Sequence, residues 1–184
     1  QGAGQVGYHL VKLLRAHGAK VFVTDIAEDR VEQVVDEFGA EAVPMSQIYD
    51  VEATVFSPCA LGAVINEDTL PRLRCEIVAG GANNQLESDE LGTELERRGI
   101  LYAPDYAINA GGLMSSALEL QGYSVARAER RVARIHGIIA RILELASEEK
   151  IPTWQAAQKL AEARLASISQ TKLPFVAGST SRAV

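Results

Sequence analysis

The sequence has few cysteines, few histidines and no long apolar run, and each shortage excludes a class of protein. Two cysteines, Cys59 and Cys75, are too few for a disulfide framework and favour a reducing, cytoplasmic compartment. The three histidines, at positions 9, 17 and 136, lack the spacing of metal ligands, so we expect no metal site. No stretch of about 18 apolar residues is present to span a membrane, and the start lacks the pattern of a secretory leader.

Positive charge is also scarce. The 184 residues carry 18 Lys and Arg against 24 Asp and Glu, a formal net charge of −6. This balance argues against a nucleic-acid partner and against a polybasic membrane binder. Hydrophobic residues at 47% and charged residues at 23% are ordinary for a folded globular chain, and the length is that of one domain, or of one domain with a short appendage.

Short apolar strands alternate with amphipathic helices in the first part of the chain. β-branched and apolar runs predict strands, and apolar residues every three or four positions predict helices. Strands separated by helices are typical of parallel βαβ units, so we predict an α/β fold with a Rossmann-like, doubly wound parallel sheet. The predicted strands are 20–25, 53–56, 76–79 and 100–103, and the predicted helices are 6–17, 28–38 and 87–98.

Helices alone follow residue 105. A long helix is predicted over 125–149, and a second from Trp154 to about residue 170. The predicted division is a dinucleotide-binding domain at 1–122, C-terminal helices packed on it at 123–172, and a tail at 173–184.

A glycine loop opens the chain as Gly2-x-Gly4-x-x-Gly7. In such a loop the first glycine makes a tight turn, the second lets a pyrophosphate approach the backbone, and the third lets helix and strand pack closely. The helix that follows presents unpaired N–H groups and a positive dipole end to the phosphates. An ordinary turn before a helix is the alternative. The predicted cofactor-binding residues of this loop are Gly2, Ala3, Gly4, Gln5, Val6 and Gly7.

A loop of this kind normally follows a central strand of the sheet. We therefore expect the chain to be the C-terminal part of a longer polypeptide, with the first strand of the sheet absent from it.

Asp25 strengthens the dinucleotide hypothesis. It ends the next predicted strand, where a carboxylate accepts hydrogen bonds from the adenosine ribose and repels a 2′-phosphate. The residues directly after it, Ile26 to Glu28, add no cation, although Arg30 lies nearby. We predict that Asp25 and Ile26 contact the cofactor and that NAD is preferred over NADP. The alternative is that Asp25 caps the next helix, with Glu28 completing a capping box.

Three further segments each follow a predicted strand, which places them at the carboxyl edge of the sheet, where ligands of α/β folds bind. Together with the glycine loop and Asp25 they resemble the glutamate/leucine/phenylalanine/valine dehydrogenase family, and its leucine-specific members in particular, over most of the chain. The segments are Ser57-Pro58-Cys59-Ala60-Leu61-Gly62, Gly80-Gly81-Ala82-Asn83-Asn84-Gln85-Leu86 and Ala103-Pro104-Asp105-Tyr106-Ala107-Ile108-Asn109-Ala110-Gly111-Gly112.

The resemblance implies two domains around a cleft, with the C-terminal helices reaching back to the hinge. It also implies NAD-dependent, reversible oxidative deamination of an L-amino acid to a 2-oxo acid and ammonia. Asn84 would then hold the substrate beside the nicotinamide. The further cofactor contacts that it implies are Cys59, Ala60, Ala82, Asn84 and Asn109. Alternatively, Asn83 and Asn84 are turn residues and Cys59 is a small buried apolar group.

The family's catalytic lysines belong to the domain before the glycine loop. None of the five lysines of this chain, at positions 12, 20, 150, 159 and 172, lies in a comparable glycine-rich context. We therefore expect no catalytic residue in this chain and no turnover by the chain alone. A homo-oligomer is also expected.

Two residues after the paired glycines bear on the choice of amino acid. By resemblance, Leu113 and Ser116 line the pocket for the substrate side chain. Leu113 favours an apolar substrate of the leucine, valine or isoleucine type, whereas Ser116 leaves room for an aromatic one or a hydrogen bond to glutamate. Phenylalanine- or tryptophan-type and glutamate dehydrogenases are thus alternatives, and a non-catalytic NAD-binding regulatory module is an alternative of another class.

Overall fold

The computed structural model describes residues 1–119 and 124–169, which alternate between helices and short strands. Two 3₁₀ turns, Met45–Asp50 and Leu70–Arg72, flank the strand in the middle of the chain. The helices are α1 (Gln5–Ala16), α2 (Glu28–Phe38), α3 (Asp89–Arg97), α4 (Asp105–Ile108), α5 (Gly111–Glu119), α6 (Val125–Val132), α7 (Arg134–Glu149) and α8 (Thr153–Ser169). The strands are β1 (Phe22–Val23), β2 (Glu41–Ala42), β3 (Ala53–Phe56), β4 (Cys75–Val78) and β5 (Leu101–Tyr102).

All described strand pairs are parallel, which confirms the predicted α/β class. One sheet pairs β1 with β2, and the other has the order β3-β4-β5. Because each connection between paired strands passes over a sheet face, the carboxyl ends of the strands lie along one edge. This edge carries all three segments that the sequence singles out.

A groove of about 460 Å³ separates β1 from β3. At its end, Gly2 donates to the carbonyl of Thr24 at 2.7 Å, and Cys59 donates to the carbonyl of Gln1 at 2.7 Å. The backbone nitrogen of Gln1 also donates to the carbonyl of Ser57 at 3.0 Å. Gln1 and Gly2 thus join the carboxyl ends of the two sheets.

The apolar face of α1 is only partly buried. Val6, Leu10, Leu13 and Leu14 share one face of this helix by their spacing, but Val6, Leu13 and Leu14 are exposed, and the buried residues are Gly7 and Val11. Leu14 lines the groove between β1 and β3, where a central strand before the glycine loop would lie.

Three hydrophobic clusters hold the described elements together. Val23 and Val34 anchor the cluster under β1 and β2, and Val78 and Leu95 anchor the cluster around β3, β4 and β5. A third cluster joins α7 to α8 through Ile142 and Ala156. Each cluster excludes water from one group of elements, which is the main source of their stability.

The predicted helix over 125–149 is wrong as a single element. It breaks at Ala133, and α6 packs on α5 whereas α7 packs on α4 and α8. The two helices follow different partners, with Val132 and Ile135 both beside Gly111 at the break. The residue at the break, Ala133, keeps right-handed backbone, with φ of −56° and ψ of −22°.

Other boundaries differ slightly from the sequence prediction. Only two residues of the predicted strand 20–25 pair, and β2 was not predicted at all. The boundary at 122 and the tail at 173–184 lie outside the described residues, so the predicted division stays a prediction. Within 1–119 and 124–169, every helix is too short or too polar to cross a lipid bilayer.

Candidate cofactor and substrate site

The three glycines of the first loop differ in the space that a Cβ atom would find. A Cβ at Gly2 would lie 2.7 Å from backbone atoms of Cys59 and Ala60, and one at Gly7 would lie 2.0 Å from the carbonyl oxygen of Gly2. A Cβ at Gly4 would meet only the guanidinium of Arg30, at 3.7 Å. Gly2 and Gly7 thus serve the packing of the loop itself, whereas the space beside Gly4 is available to a ligand.

The start of α1 borders this space. Gly4 is the N-cap of α1 and provides no side-chain cap, so the first N–H groups of the helix have no partner within it. These groups and the positive end of the helix dipole suit a pyrophosphate. The adjoining pocket of about 400 Å³ is lined by Ala3, Gly4, Gln5, Tyr8, His9, Arg30 and Gln33.

Asp25 binds the same loop from the end of β1. Its carboxylate accepts the N–H of Ala3 at 2.7 Å and that of Ala27 at 2.9 Å, and Arg30 lies 4.0 Å away. Burial would raise the pKa of Asp25, but these N–H donors and Arg30 outweigh it and hold the pKa below its usual value. The capping-box alternative is wrong, because the N-cap of α2 is Ala27 and Asp25 binds the glycine loop.

The loops after β3 and β4 interlock beside the glycine loop. Ala82 donates to the carbonyl of Pro58 at 2.9 Å, and Ala63 donates to the carbonyl of Asn84 at 2.5 Å. Both Ala63 and Asn84 have left-handed backbone, with φ of 58° and 50°. Such conformations are strained outside glycine and persist where the surroundings impose them.

The loop after β5 closes the site from the other side. The Asn109 amide donates to Asn83 Oδ1 at 2.6 Å and to the carbonyl of Ala82 at 3.1 Å. The Gln85 amide donates to the carbonyls of Gly80 and Ala82, at 2.7 and 3.0 Å. The backbone N–H of Gln85 donates to Asp105 Oδ2 at 2.7 Å.

Most of the predicted site residues meet at this edge. Cys59 and Ala60 touch the glycine loop, while Ala82 and Asn109 share a hydrogen bond next to Asn84. Ile26 follows Asp25 with its side chain exposed. Their roles toward a ligand remain predictions.

Leu113 and Ser116 lie apart from this network. Both are exposed on α5, three residues apart and so on one face of the helix. A turn covers Asn109 and Ala110, and Gly111 begins this helix. Their contact with a substrate side chain therefore remains a prediction.

Sequence reasoning gave no role to Asn83, Gln85 and Asp105. Each lies in a segment that follows a strand, but only the fold reveals that the buried Gln85 and Asp105 are hydrogen-bond partners. Their position among polar residues in loops that follow predicted strands is the signal that would have indicated them.

The described lysines have other surroundings. Lys20 lies 3.1 Å from Glu41, Lys159 pairs with Glu149, Lys12 is exposed on α1, and Lys150 follows the end of α7. Lys172 lies outside the described residues. In the described part of the chain, no group of three or more His, Cys, Asp or Glu side chains is arranged to hold a metal ion.

Comparisons with known proteins agree on one family. The family model "Glutamate/Leucine/Phenylalanine/Valine dehydrogenase" matches residues 22–172. Leucine dehydrogenase of Bacillus cereus is 47% identical over 176 residues, which cover 96% of this chain and 48% of that protein. Phenylalanine dehydrogenase of Bacillus thermotolerans is 41% identical, over 90% of this chain and 44% of that protein.

A solved structure supports the same conclusion. The crystal structure of L-tryptophan dehydrogenase from Nostoc punctiforme matches with a TM-score of 0.89 and 42% identity, and the match covers 91% of this chain and 51% of that one. The chain thus spans about half the length of the curated relatives that it matches. By family match and by identity over nearly its whole length, the chain belongs to the glutamate/leucine/phenylalanine/valine dehydrogenase family.

Proposed function

We propose that this chain is the cofactor-binding part of an NAD-dependent dehydrogenase that oxidatively deaminates an apolar L-amino acid of the leucine, valine or isoleucine type. The observation that carries the proposal is the bond from Ala3 N–H to the Asp25 carboxylate beside the open space at Gly4. It joins the two features that a dinucleotide needs, a phosphate site and a ribose acceptor.

The residues present fit NAD. The pyrophosphate would lie against Gly4 and the start of α1, and the adenosine ribose would lie beside Asp25 and Ile26. The negative charge of Asp25 disfavours a 2′-phosphate, and Arg30, at 4.0 Å, offsets that charge only in part. The nicotinamide accepts a hydride when it is bound. It would lie near Ala82 and Asn109, past the Cys59–Ala60 turn.

The overall reaction converts L-amino acid, NAD⁺ and water to 2-oxo acid, ammonium, NADH and a proton. In this proposal Asn84 holds the amino and carboxylate groups of the substrate at the cofactor. Leu113 and Ser116 face its side chain, where one methylene changes discrimination by about 1–3 kcal/mol. The lysines that bind the carboxylate and activate water would come from outside this chain.

The relatives bear on the choice of substrate. The match to leucine dehydrogenase supports an aliphatic substrate. Matches to phenylalanine and tryptophan dehydrogenases keep an aromatic substrate as the second candidate, and Ser116 keeps glutamate as the third. The resemblance further implies a homo-oligomer located in the cytoplasm. Light scattering on the purified natural protein would test the oligomeric state.

The test is an assay of the natural protein that contains this chain. NADH formation would be measured with leucine, valine, isoleucine, phenylalanine, tryptophan and glutamate, each with NAD and with NADP. We expect the highest kcat/KM for an aliphatic substrate with NAD. Preference for an aromatic substrate or glutamate would replace the substrate assignment. NADH binding without turnover of any amino acid would favour a regulatory module instead.

A further inference from the structure

A buried carboxylate, Asp105, stands at the start of α4 with no role in the proposed function. It is 7% exposed. Its Oδ2 accepts the N–H of Gln85 at 2.7 Å, and its Oδ1 accepts the N–H of Tyr106 at 2.6 Å. One oxygen therefore serves its own helix, and the other reaches 20 residues back to the loop after β4.

The bond to Gln85 acts on one particular peptide unit, the one that joins Asn84 to Gln85. Its N–H binds Asp105 at 2.7 Å, and its carbonyl accepts the N–H of Ala63 at 2.5 Å. Both ends of that unit are thus held by groups from different loops. The rotation of this peptide unit sets the backbone conformation of Asn84. Asp105 and Ala63 together therefore fix the backbone from which the Asn84 side chain projects.

The conformation that they hold is an unfavourable one. Asn84 has a φ of 50°, in the left-handed region. Asparagine tolerates this region better than most residues, but the alternative right-handed backbone is still lower in energy. A clamp on the following peptide unit opposes that relaxation.

The short helix α4 connects this clamp to the predicted cofactor contact. Asp105 begins α4 and binds Gln85, whereas Asn109 follows its last residue and binds Asn83 and Ala82. One helical turn therefore holds the loop after β4 on both sides of Asn84. The distance between these two contacts is therefore set by the backbone of α4.

A charged group makes this clamp strong. Removal of a carboxylate from water is costly unless N–H donors satisfy it, and hydrogen bonds to an ionised acceptor are about twice as strong as neutral ones. Tyr102, whose hydroxyl accepts the N–H of Asp105 at 3.2 Å, completes the buried environment. Burial and the nearby Asp105 charge both raise the pKa of Tyr102, so its hydroxyl stays neutral.

We propose that Asp105 is a positioning residue for the amino-acid substrate, acting through the Asn84–Gln85 peptide. This inference rests on the proposed function, in which Asn84 holds the substrate. It assigns Asp105 chiefly to the substrate side. Asn84 and Asn109 are also predicted nicotinamide contacts, but the glycine loop and Asp25, where the pyrophosphate and the adenosine ribose would bind, form no part of the clamp.

The test uses Asp105→Asn in the natural protein, with Asp50→Asn as the matched control. Asp50 also has two hydrogen bonds, from Arg72 at 3.1 and 2.7 Å, but it belongs to the 3₁₀ turn before β3. Asparagine retains one acceptor oxygen and turns an N–H₂ group toward the other donor. Loss of one bond to a charged acceptor predicts a rise of about 10-fold or more in KM for the amino acid.

Four measurements separate the outcomes: KM for the amino acid, KM for NAD, the dissociation constant of NADH, and the melting temperature. We expect Asp105→Asn to raise KM for the amino acid and to change KM for NAD and the dissociation constant of NADH by no more than about twofold. Asp50→Asn should change no kinetic constant. Parallel loss of amino-acid and cofactor affinity would overturn the proposal and leave Asp105 with a merely structural role. An unchanged KM for the amino acid would overturn it too.

A milder variant covers the case in which Asp105→Asn does not fold. Tyr102→Phe removes only the hydroxyl that accepts the Asp105 N–H, so we expect the same selective rise in KM at about two- to threefold. An unchanged KM in this variant would count against the proposal. A wild-type protein that is inactive on all amino acids would instead refute the proposed function, and the positioning role with it.

Discussion

Gly7 and Gly4 of the glycine loop should respond differently to the addition of a methyl group. A Cβ at Gly7 would lie 2.0 Å from the Gly2 carbonyl oxygen and 2.8 Å from its carbonyl carbon. Both are backbone atoms, so the loop and α1 must move apart. Overpacking of this kind costs about 3 kcal/mol, and the better helix propensity of alanine returns about 1 kcal/mol.

The expected net loss for Gly7→Ala is therefore about 2 kcal/mol. In a protein of this size it corresponds to a melting temperature roughly 4–8 °C lower. Gly4→Ala meets only the flexible end of Arg30, at 3.7 Å. We expect it to cost about 0.5 kcal/mol as a poorer N-cap, or roughly 1–2 °C.

Relative to the stability that each variant loses, Gly4→Ala should weaken NADH binding more than Gly7→Ala does. The methyl of Gly4→Ala would occupy the space proposed for the pyrophosphate and displace at least one charge-assisted hydrogen bond. We expect NADH affinity to fall about 10-fold or more. The assays are calorimetric melting and titration of NADH fluorescence on the natural protein. A Gly7→Ala protein that melts like wild type, or a Gly4→Ala protein that binds NADH like wild type, would refute the reasoning.

The remaining predictions concern backbone conformation and charge. Gly99 and Gly137 both have open space around a future Cβ, but Gly99 has a φ of 73° and Gly137 lies in α7. Gly99→Ala should therefore lower the free energy of unfolding by about 1–2 kcal/mol and Gly137→Ala should raise it by up to about 1 kcal/mol in urea titrations. Equal effects would contradict this. Asp25→Asn should raise kcat/KM with NADP relative to NAD, and an unchanged ratio would remove Asp25 from cofactor choice. Because the folded pKa of Asp25 is lowered, the stability difference between wild type and Asp25→Asn should stay constant down to about pH 4 and shrink below it. Melting curves across that range would check the sign.

Local signals account for what the sequence predicted well. The start of α1 follows from the glycine pattern of the first seven residues, and α2 ends at Gly39, whose φ is 68°. The end of β3 at Phe56 follows from a short apolar run that gives way to polar or small residues. These features depend on a few adjacent residues, and so they can be read in order along the chain.

What the sequence missed depends on distant partners. Pairing of Glu41 with Phe22 creates β2 from two exposed residues that have no strand pattern. The division at Ala133 separates α6, which packs on α5, from α7, which packs on α4 and α8. The role of Asp105 could not be predicted because its partner, Gln85, is 20 residues away and is brought into contact only by the pairing of β4 with β5.

The groove between β1 and β3 has a consequence for cooperativity in the natural protein. A glycine loop of this kind normally follows a central strand, and the groove lies where that strand would pair with both β1 and β3. One ladder would then run through all the strands, and the sheet would open as a single cooperative unit. In the natural protein the β1 and β4 amides should therefore show a common level of hydrogen-exchange protection.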